Sequence, residues 1–164
     1  MSTAARRVRG RSDLVTDGVR VQVESTFLPL HSRPEYDIYQ FVYRVTIINE
    51  RRRPVQLLDR CWSITNAVGQ IVETMNERRR PVPLFRRYWT LSDTVGPLEE
   101  KKKRELVADT PLISPGRTHA YDRFCVLNTA FGSMSGHYEM MNMEGERFQV
   151  QVGMFNLLMP EAIH

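Results

Sequence analysis

Apolar and polar residues alternate with a period of two along most of this chain, the pattern of strands half-buried against a core. Val19, Val21 and Val23 alternate with Arg20, Gln22 and Glu24, which predicts a first strand. His31-Ser32-Arg33-Pro34 breaks it. The strongest alternation follows over 36–49. Tyr39, Phe41, Tyr43, Val45 and Ile47 fall on one face, with Gln40, Arg44 and Thr46 on the other, so a long strand is predicted with its aromatic face in the core. Asn49 to Pro54 is a polar turn. Val55 to Thr65 predicts a further strand with Leu58, Trp62 and Ile64 on one face, closed by Asn66-Ala67-Val68-Gly69. Pro111-Leu112-Ile113 is an apolar stub before Pro115-Gly116, where Pro fixes φ and Gly supplies the positive φ of a type II turn. Strands are predicted at 118–127, 133–142 and 147–157, the last two joined by Met143-Glu144-Gly145-Glu146. In the last strand Phe148, Val150, Val152 and Met154 alternate with Gln149, Gln151 and Gly153. No helical period appears. The pattern predicts an all-β fold: a fibronectin type III/immunoglobulin-like antiparallel β-sandwich of about seven strands.

One stretch is written twice. Asn49-Glu50-Arg51-Arg52-Arg53-Pro54-Val55 returns unchanged as Asn76-Glu77-Arg78-Arg79-Arg80-Pro81-Val82, an offset of 27. The match continues at the same offset through Leu57/Leu84, Arg60/Arg87, Trp62/Trp89, Val68/Val95 and Gly69/Gly96. Two copies are too few for a solenoid, which needs three or more stacked units. The repeat is therefore an in-frame duplication (49–75 and 76–102) inside one domain spanning 13–164. Its second strand is predicted over 82–91, with Pro83 arguing that it starts on a sheet edge.

Composition adds limits. With 41% apolar and 26% charged residues, the chain can fill a core and is not of disordered type. No apolar run is long enough to cross a bilayer, and no hydrophobic segment at the N-terminus resembles a secretory signal, so a cytoplasmic protein is expected. Residues 1–12 read as a basic flexible tail through Arg6, Arg7, Arg9 and Arg11, a composition that also fits a weak organelle-targeting signal. Cys61 and Cys125 are expected to be reduced, buried packing groups. The net charge of +4 is concentrated: residues 50–104 hold 13 basic and 7 acidic side chains. That charge either keeps the surface solvated or meets an anionic partner.

The residues then become recognisable. Pro54-Val55-Gln56-Leu57-Leu58, Trp62, Thr65-Asn66, Pro111-Leu112-Ile113 with Pro115-Gly116, and above all Gly132-Ser133-Met134-Ser135-Gly136-His137-Tyr138-Glu139-Met140 resemble the ApaG family. The chain also ends as that family ends, at Pro160 to Ile163-His164, so the resemblance covers about residues 15–164. It marks Gly136, His137, Tyr138 and Glu139 as family-motif residues. The resemblance implies a fibronectin type III-like sandwich that occurs alone in bacteria and as a domain of a polymerase-delta-interacting protein and an F-box protein. It implies a protein-interaction module with no established catalytic activity. It also implies a single slot for the Trp-bearing strand, because deleting either copy restores the family's spacing. The first copy is expected to take it. Leu58 and Gln56 suit a core strand better than Phe85 and Pro83, and the first copy could pair at once with strand 36–49 at low loop-closure cost.

Candidate chemistry is sparse. A glycine-rich phosphate cradle seen in some ApaG members would fall on Lys103, Glu105 and Ala108, so its glycines are missing. His137 and Glu139 share a strand face, as an acid–base pair would, but no third polar group or nucleophile motif accompanies them. Cross-strand bonding or partner contact suits them better. His31, His119, His137 and His164 have no paired metal-ligand spacing. No catalytic, cofactor or metal residue is assigned. Of the two tryptophans, Trp62 suits the core, and an exposed Trp89 beside Arg86 and Arg87 would be an interaction hot spot. The expected function is non-enzymatic protein binding, with an exposed sheet edge accepting a partner strand or a second copy. The alternative is anion, nucleotide or nucleic-acid binding through Arg51, Arg52, Arg53, Arg78, Arg79, Arg80, Arg86, Arg87, Lys101, Lys102, Lys103 and Arg104.

Overall fold

The computed structural model describes residues 10–77 and 110–160, the side chains of 75–77 excepted. The strands among them are β1 (Arg11–Thr16), β2 (Val19–Phe27), β3 (Tyr39–Asn49), β4 (Val55–Asn66), β5 (Ile71–Glu77), β6 (Leu112–Ile113), β7 (Thr118–Leu127), β8 (Phe131–Met141) and β9 (Arg147–Leu158). They form two antiparallel sheets, ordered β1-β2-β3-β7 and β5-β4-β8-β9, with the stub β6 also on β4. The all-β sandwich expected from the alternation is what forms. Six of the about seven expected strands are among the nine described. β1 and β5, which carry no clean alternation, and the two-residue β6 are additional, and the strand expected over 82–91 lies outside the described residues.

The two sheets meet through the faces that the period of two selects. Phe41, Tyr43, Val45 and Ile47 of β3 join the core with Val55, Leu57, Trp62 and Ile64 of β4. Leu58, expected on the face of Trp62 and Ile64, is instead buried outside that cluster, as the extra residue of a bulge between Leu57 and Asp59 that shifts the phase. Trp62 is the hub: its ring lies 5.5 Å from Tyr43, 5.7 Å from Tyr138 and 6.1 Å from Phe155. Such tilted and edge-on contacts each contribute about 0.5–1.5 kcal/mol beyond the area they bury.

Four expectations are corrected. Of the tail predicted over 1–12, Gly10 is buried and Arg11 and Ser12 begin β1, while 1–9 lie outside the described residues. Asp17 and Gly18 both have positive φ, 48° and 77°, as a two-residue type I′ turn requires, and this hairpin folds β1 back onto β2. Next, β3 and β4 were expected to pair, yet they lie in different sheets. The Asn49 side chain turns the chain across the sandwich. Its Nδ2 donates to the carbonyls of Arg53 and Ile113, each at 2.9 Å, and its Oδ1 accepts the Arg51 N–H at 2.9 Å. The place beside β3 goes to β7, from Tyr39↔Leu127 to Ile48↔Thr118 with no shift of register. Met154 was placed on the buried face of β9 but is 64% exposed, while Phe155 and Leu157 are buried. The register with β8 shifts there, and Gly153 and Met154 together face Ser135, which resets the phase. Finally, only Cys125 is buried; Cys61 is half-buried on the outer face of its sheet, and both are free thiols.

One seam between the sheets is closed. Ser25 Oγ donates to the Asn156 carbonyl at 2.7 Å, and Gln151 N–H donates to Thr16 Oγ1 at 3.2 Å, so β1 and β2 are stitched to β9. No helix among the described residues is long and apolar enough to cross a membrane.

Candidate functional site

The motif residues sit on β8, beside the centre of β4. Gly136 pairs in register with Trp62, and a Cβ there would stand 2.2 Å from the Cys61 carbonyl oxygen. Glycine is needed for close approach of two strands. Tyr138 is fully buried, and its hydroxyl is hydrogen-bonded to that of Tyr121 on β7. His137 and Glu139 point to the outer face. Glu139 Oε1 lies 3.3 Å from Arg147 Nη1, the cross-strand contact expected of it. Above Gly136 is only an open depression of about 300 Å³, lined by Cys61, Ser63, Ser135, His137 and Gln151. Among the described residues, no group of three or more His, Cys, Asp or Glu side chains could hold a metal ion.

On the inner side the same strands build a polar cluster absent from the sequence-based expectations. Arg60 of β4 is only 6% exposed, and its guanidinium lies 5.5 Å over the Tyr121 ring. Arg123 approaches the same ring at 5.5 Å, and the His119 ring lies 5.8 Å from it. Burial raises the Tyr121 pKa, while the Tyr138 hydrogen bond and the Arg60 charge pull it the other way. Burial, more strongly than Arg60, lowers that of His119. The signal for Arg60 was present: it shares the inward phase of Trp62 and Ile64, and a charge in that phase is a buried charge.

His119 gives a pH prediction. Its folded pKa is depressed below the ordinary 6.5, so the unfolded chain binds the proton first as pH falls. The stability it contributes is present above pH 6.5 and is lost as pH falls through the lower folded value. His119→Gln should flatten the denaturation midpoint below pH 6.5, and an unchanged slope in that variant would assign the dependence to another group.

The basic residues divide. Arg51 folds back, with its guanidinium 4.8 Å over the Phe148 ring and Nη1 donating to the Asp17 carbonyl at 2.8 Å. Arg53 Nη1 lies 2.7 Å from Glu144 Oε1. Arg52 is exposed. The first triplet therefore fans out instead of converging on one anion. Arg78, Arg79, Arg80, Arg86, Arg87, Trp89, Lys101, Lys102, Lys103, Arg104 and the strand predicted over 82–91 lie outside the described residues.

The remaining feature is the edge strand β7. Among the described strands it pairs with β3 alone. Its outer face carries Phe124, 66% exposed, and Val126, 49% exposed. Asp122, between Ala120 and Phe124 on that face, is tied to Arg44 at 3.1 Å. The sequence-based expectation of an exposed edge did not name this strand, although Phe124 and Val126 share a parity opposite to that of Cys125 and Leu127.

Known proteins resemble the chain over most of its length. The family described as ApaG domain matches residues 29–78 and 71–142, two segments that overlap where the second copy begins. Protein ApaG of Enterobacter sp. (strain 638) is 35% identical over 146 residues, which is 89% of this chain and 95% of that protein. Protein ApaG of Escherichia coli O1:K1 / APEC is 34% identical over the same coverage. Among solved structures, the putative ApaA protein from Bordetella pertussis superposes with a TM-score of 0.66 at 27% identity, covering 92% of this chain and 97% of that one. By its family match and by relatives at 34–35% identity over nearly their whole length, the chain belongs to the ApaG domain family.

Proposed function

We propose that this domain is a non-enzymatic protein-binding module that takes up an extended segment of a partner along β7. The observation that carries this reading is the state of that edge. Soluble proteins blunt their edge strands with charged side chains, proline, bulges or a covering element. The two mid-strand charges of β7 are engaged within the chain, Asp122 by Arg44 and Arg123 over the Tyr121 ring. β7 contains no proline and no lysine, keeps one register with β3 over its whole length, and displays Phe124 and Val126. An added strand would gain main-chain hydrogen bonds from the edge and specificity from apolar side chains set beside Phe124. The setting we propose is the cytoplasm, in keeping with two free thiols.

The test is capture of partners from an extract by the whole domain and by Phe124→Asp, across a salt series. Proteins held by the parent at both ends of a range from about 50 to 200 mM salt, and lost by the variant, are the expected result. Nucleic acid retained only at low salt, equally by both proteins, would transfer the function to the arginines.

A further inference from the structure

We propose that β7 pairs with β7 of a second copy of this chain, antiparallel about a two-fold axis at Phe124, joining two four-stranded sheets into one of eight. This rests on the strand-accepting reading above and names one occupant of that edge.

The strand's own sequence selects the arrangement. Residues directly opposite in an antiparallel pair face the same side, so a two-fold axis normal to the sheet must fall on one residue. An axis at Asp122 sets two carboxylates opposite each other, and one at Arg123 sets two guanidiniums opposite, both unfavourable. An axis at Tyr121 puts His119 opposite the partner's Arg123 and leaves Val126 beyond the paired stretch. An axis at Cys125 pairs only residues 123–127, because β7 ends at Leu127. The axis at Phe124 pairs 121–127 with no like charges opposed. It sets Phe124 against the partner's Phe124, and Val126 against the partner's Asp122, whose carboxylate is already engaged by Arg44 in its own chain.

This axis also completes a row. Thr26, Val42 and Phe124 are register partners across β2, β3 and β7. In the monomer the row ends at an exposed aromatic ring; in the dimer it runs on through the partner's Phe124 and Val42. At the other edge of this sheet β1 is tied to β9 by the Gln151–Thr16 bond and carries no aromatic side chain, so β7 is the edge that presents one, Phe124.

Disulfide trapping tests the axis. In a Cys61→Ser, Cys125→Ser background, Phe124→Cys places the two new thiols on directly opposed residues. Their Cα atoms would be about 4.5–5.5 Å apart, within the range of about 4.4–6.8 Å that a disulfide spans. Oxidised glutathione takes the two electrons and two protons as two glutathione thiols form, leaving one disulfide between chains. Ala120→Cys is the control, its two copies lying eight positions out of register. Phe124→Cys should give covalent dimer at least about tenfold faster than Ala120→Cys, the geometry of an opposed pair favouring closure. Sedimentation of the unmodified chain, with its native cysteines, should show a concentration-dependent dimer that Phe124→Asp abolishes. Equal trapping at both sites, or identical sedimentation of parent and Phe124→Asp, overturns the dimer. Foreign partners that still depend on Phe124 would then leave the strand-accepting reading intact. A dimer that forms while no foreign partner depends on Phe124 would leave the second copy as the edge's sole occupant.

Discussion

Deleting residues 76–102 should leave the domain folded with its core unchanged, whereas deleting 49–75 should cost about 4 kcal/mol more, from the overpacking, backbone and hydrogen-bond losses below. The second copy could rebuild much of the slot. Asn76 to Val82 are identical to Asn49 to Val55, so the three Asn49 bonds, the Arg51 stack on Phe148 and the Arg53–Glu144 pair could all be remade. Trp89 and Leu84 match Trp62 and Leu57. Nine positions between 49 and 69 differ in the second copy, and three of them carry the cost. Gln56 is buried, donates to Thr110 Oγ1 at 3.1 Å, and lies between Met141 of β8 and Leu112 of β6. Pro83 would remove both that side-chain bond and the backbone donor in a strand paired on both sides. Leu58 is the fully buried extra residue of a bulge, and Phe85 there would overpack it at about 1–3 kcal/mol. Asn66 donates to Gln70 at 3.1 Å and to Asn128 at 3.2 Å, donations that Asp93 cannot make. Against a typical total of about 5–15 kcal/mol, the difference is a large part of the stability. Urea unfolding of the two deletion proteins measures it. Equal midpoints would mean that the slot does not discriminate, and a more stable Δ49–75 protein would reverse the assignment.

What could be read from the sequence was the face each strand buries. β3 and β9 alternate with aromatic and β-branched residues, and the burial follows that period except where the Gly153–Met154 bulge resets it. What could not be read was the neighbour. In a sandwich, β4 buries the same face whether it pairs beside β3 or crosses to the opposite sheet. The choice rests on one side chain, Asn49, bonding to a carbonyl that arrives from Ile113 far along the chain. β1 escaped notice because Arg11-Ser12-Asp13 is polar, though Asp17-Gly18 was a hairpin signal. β5 escaped because its residues 71–74 are exposed and carry no buried phase. The motif on β8 was legible as a resemblance, and its physical content lies in the fold: one glycine for strand approach and one tyrosine for a buried hydroxyl pair. The β7 edge was legible in neither way. An exposed Phe in a strand has no periodic signature that separates a partner surface from ordinary surface.

Gly136→Ala should destabilise the domain by about 3 kcal/mol or more, the upper range of overpacking in a core that cannot yield. The added Cβ would stand 2.2 Å from the Cys61 carbonyl oxygen and 3.2 Å from both the Cys61 carbonyl carbon and Trp62 Cα. These are backbone atoms of a central strand, held by β8 on one side and β5 on the other, so no rotamer change relieves the contact. Relief requires β8 to withdraw from β4, and Trp62 lies at that point with Tyr138 5.7 Å away on the withdrawing strand. The hub of the core would open along with the hydrogen-bond ladder. Gly153→Ala is the informative comparison. Its Cβ would meet only side-chain atoms, Ser12 Cβ at 3.1 Å and Leu14 Cβ at 3.7 Å, both on edge strand β1. That strand can shift by a few tenths of an ångström, so the cost should stay near or below about 1 kcal/mol, the ordinary range for a point substitution. Chemical denaturation of the two variants separates a backbone collision from a side-chain one. Hydrogen exchange should show protection lost first over 56–64 in the Gly136 variant. If Gly136→Ala proves no less stable than Gly153→Ala, the two strands are not as close as the fold demands, and the physical account of the motif glycine fails with them.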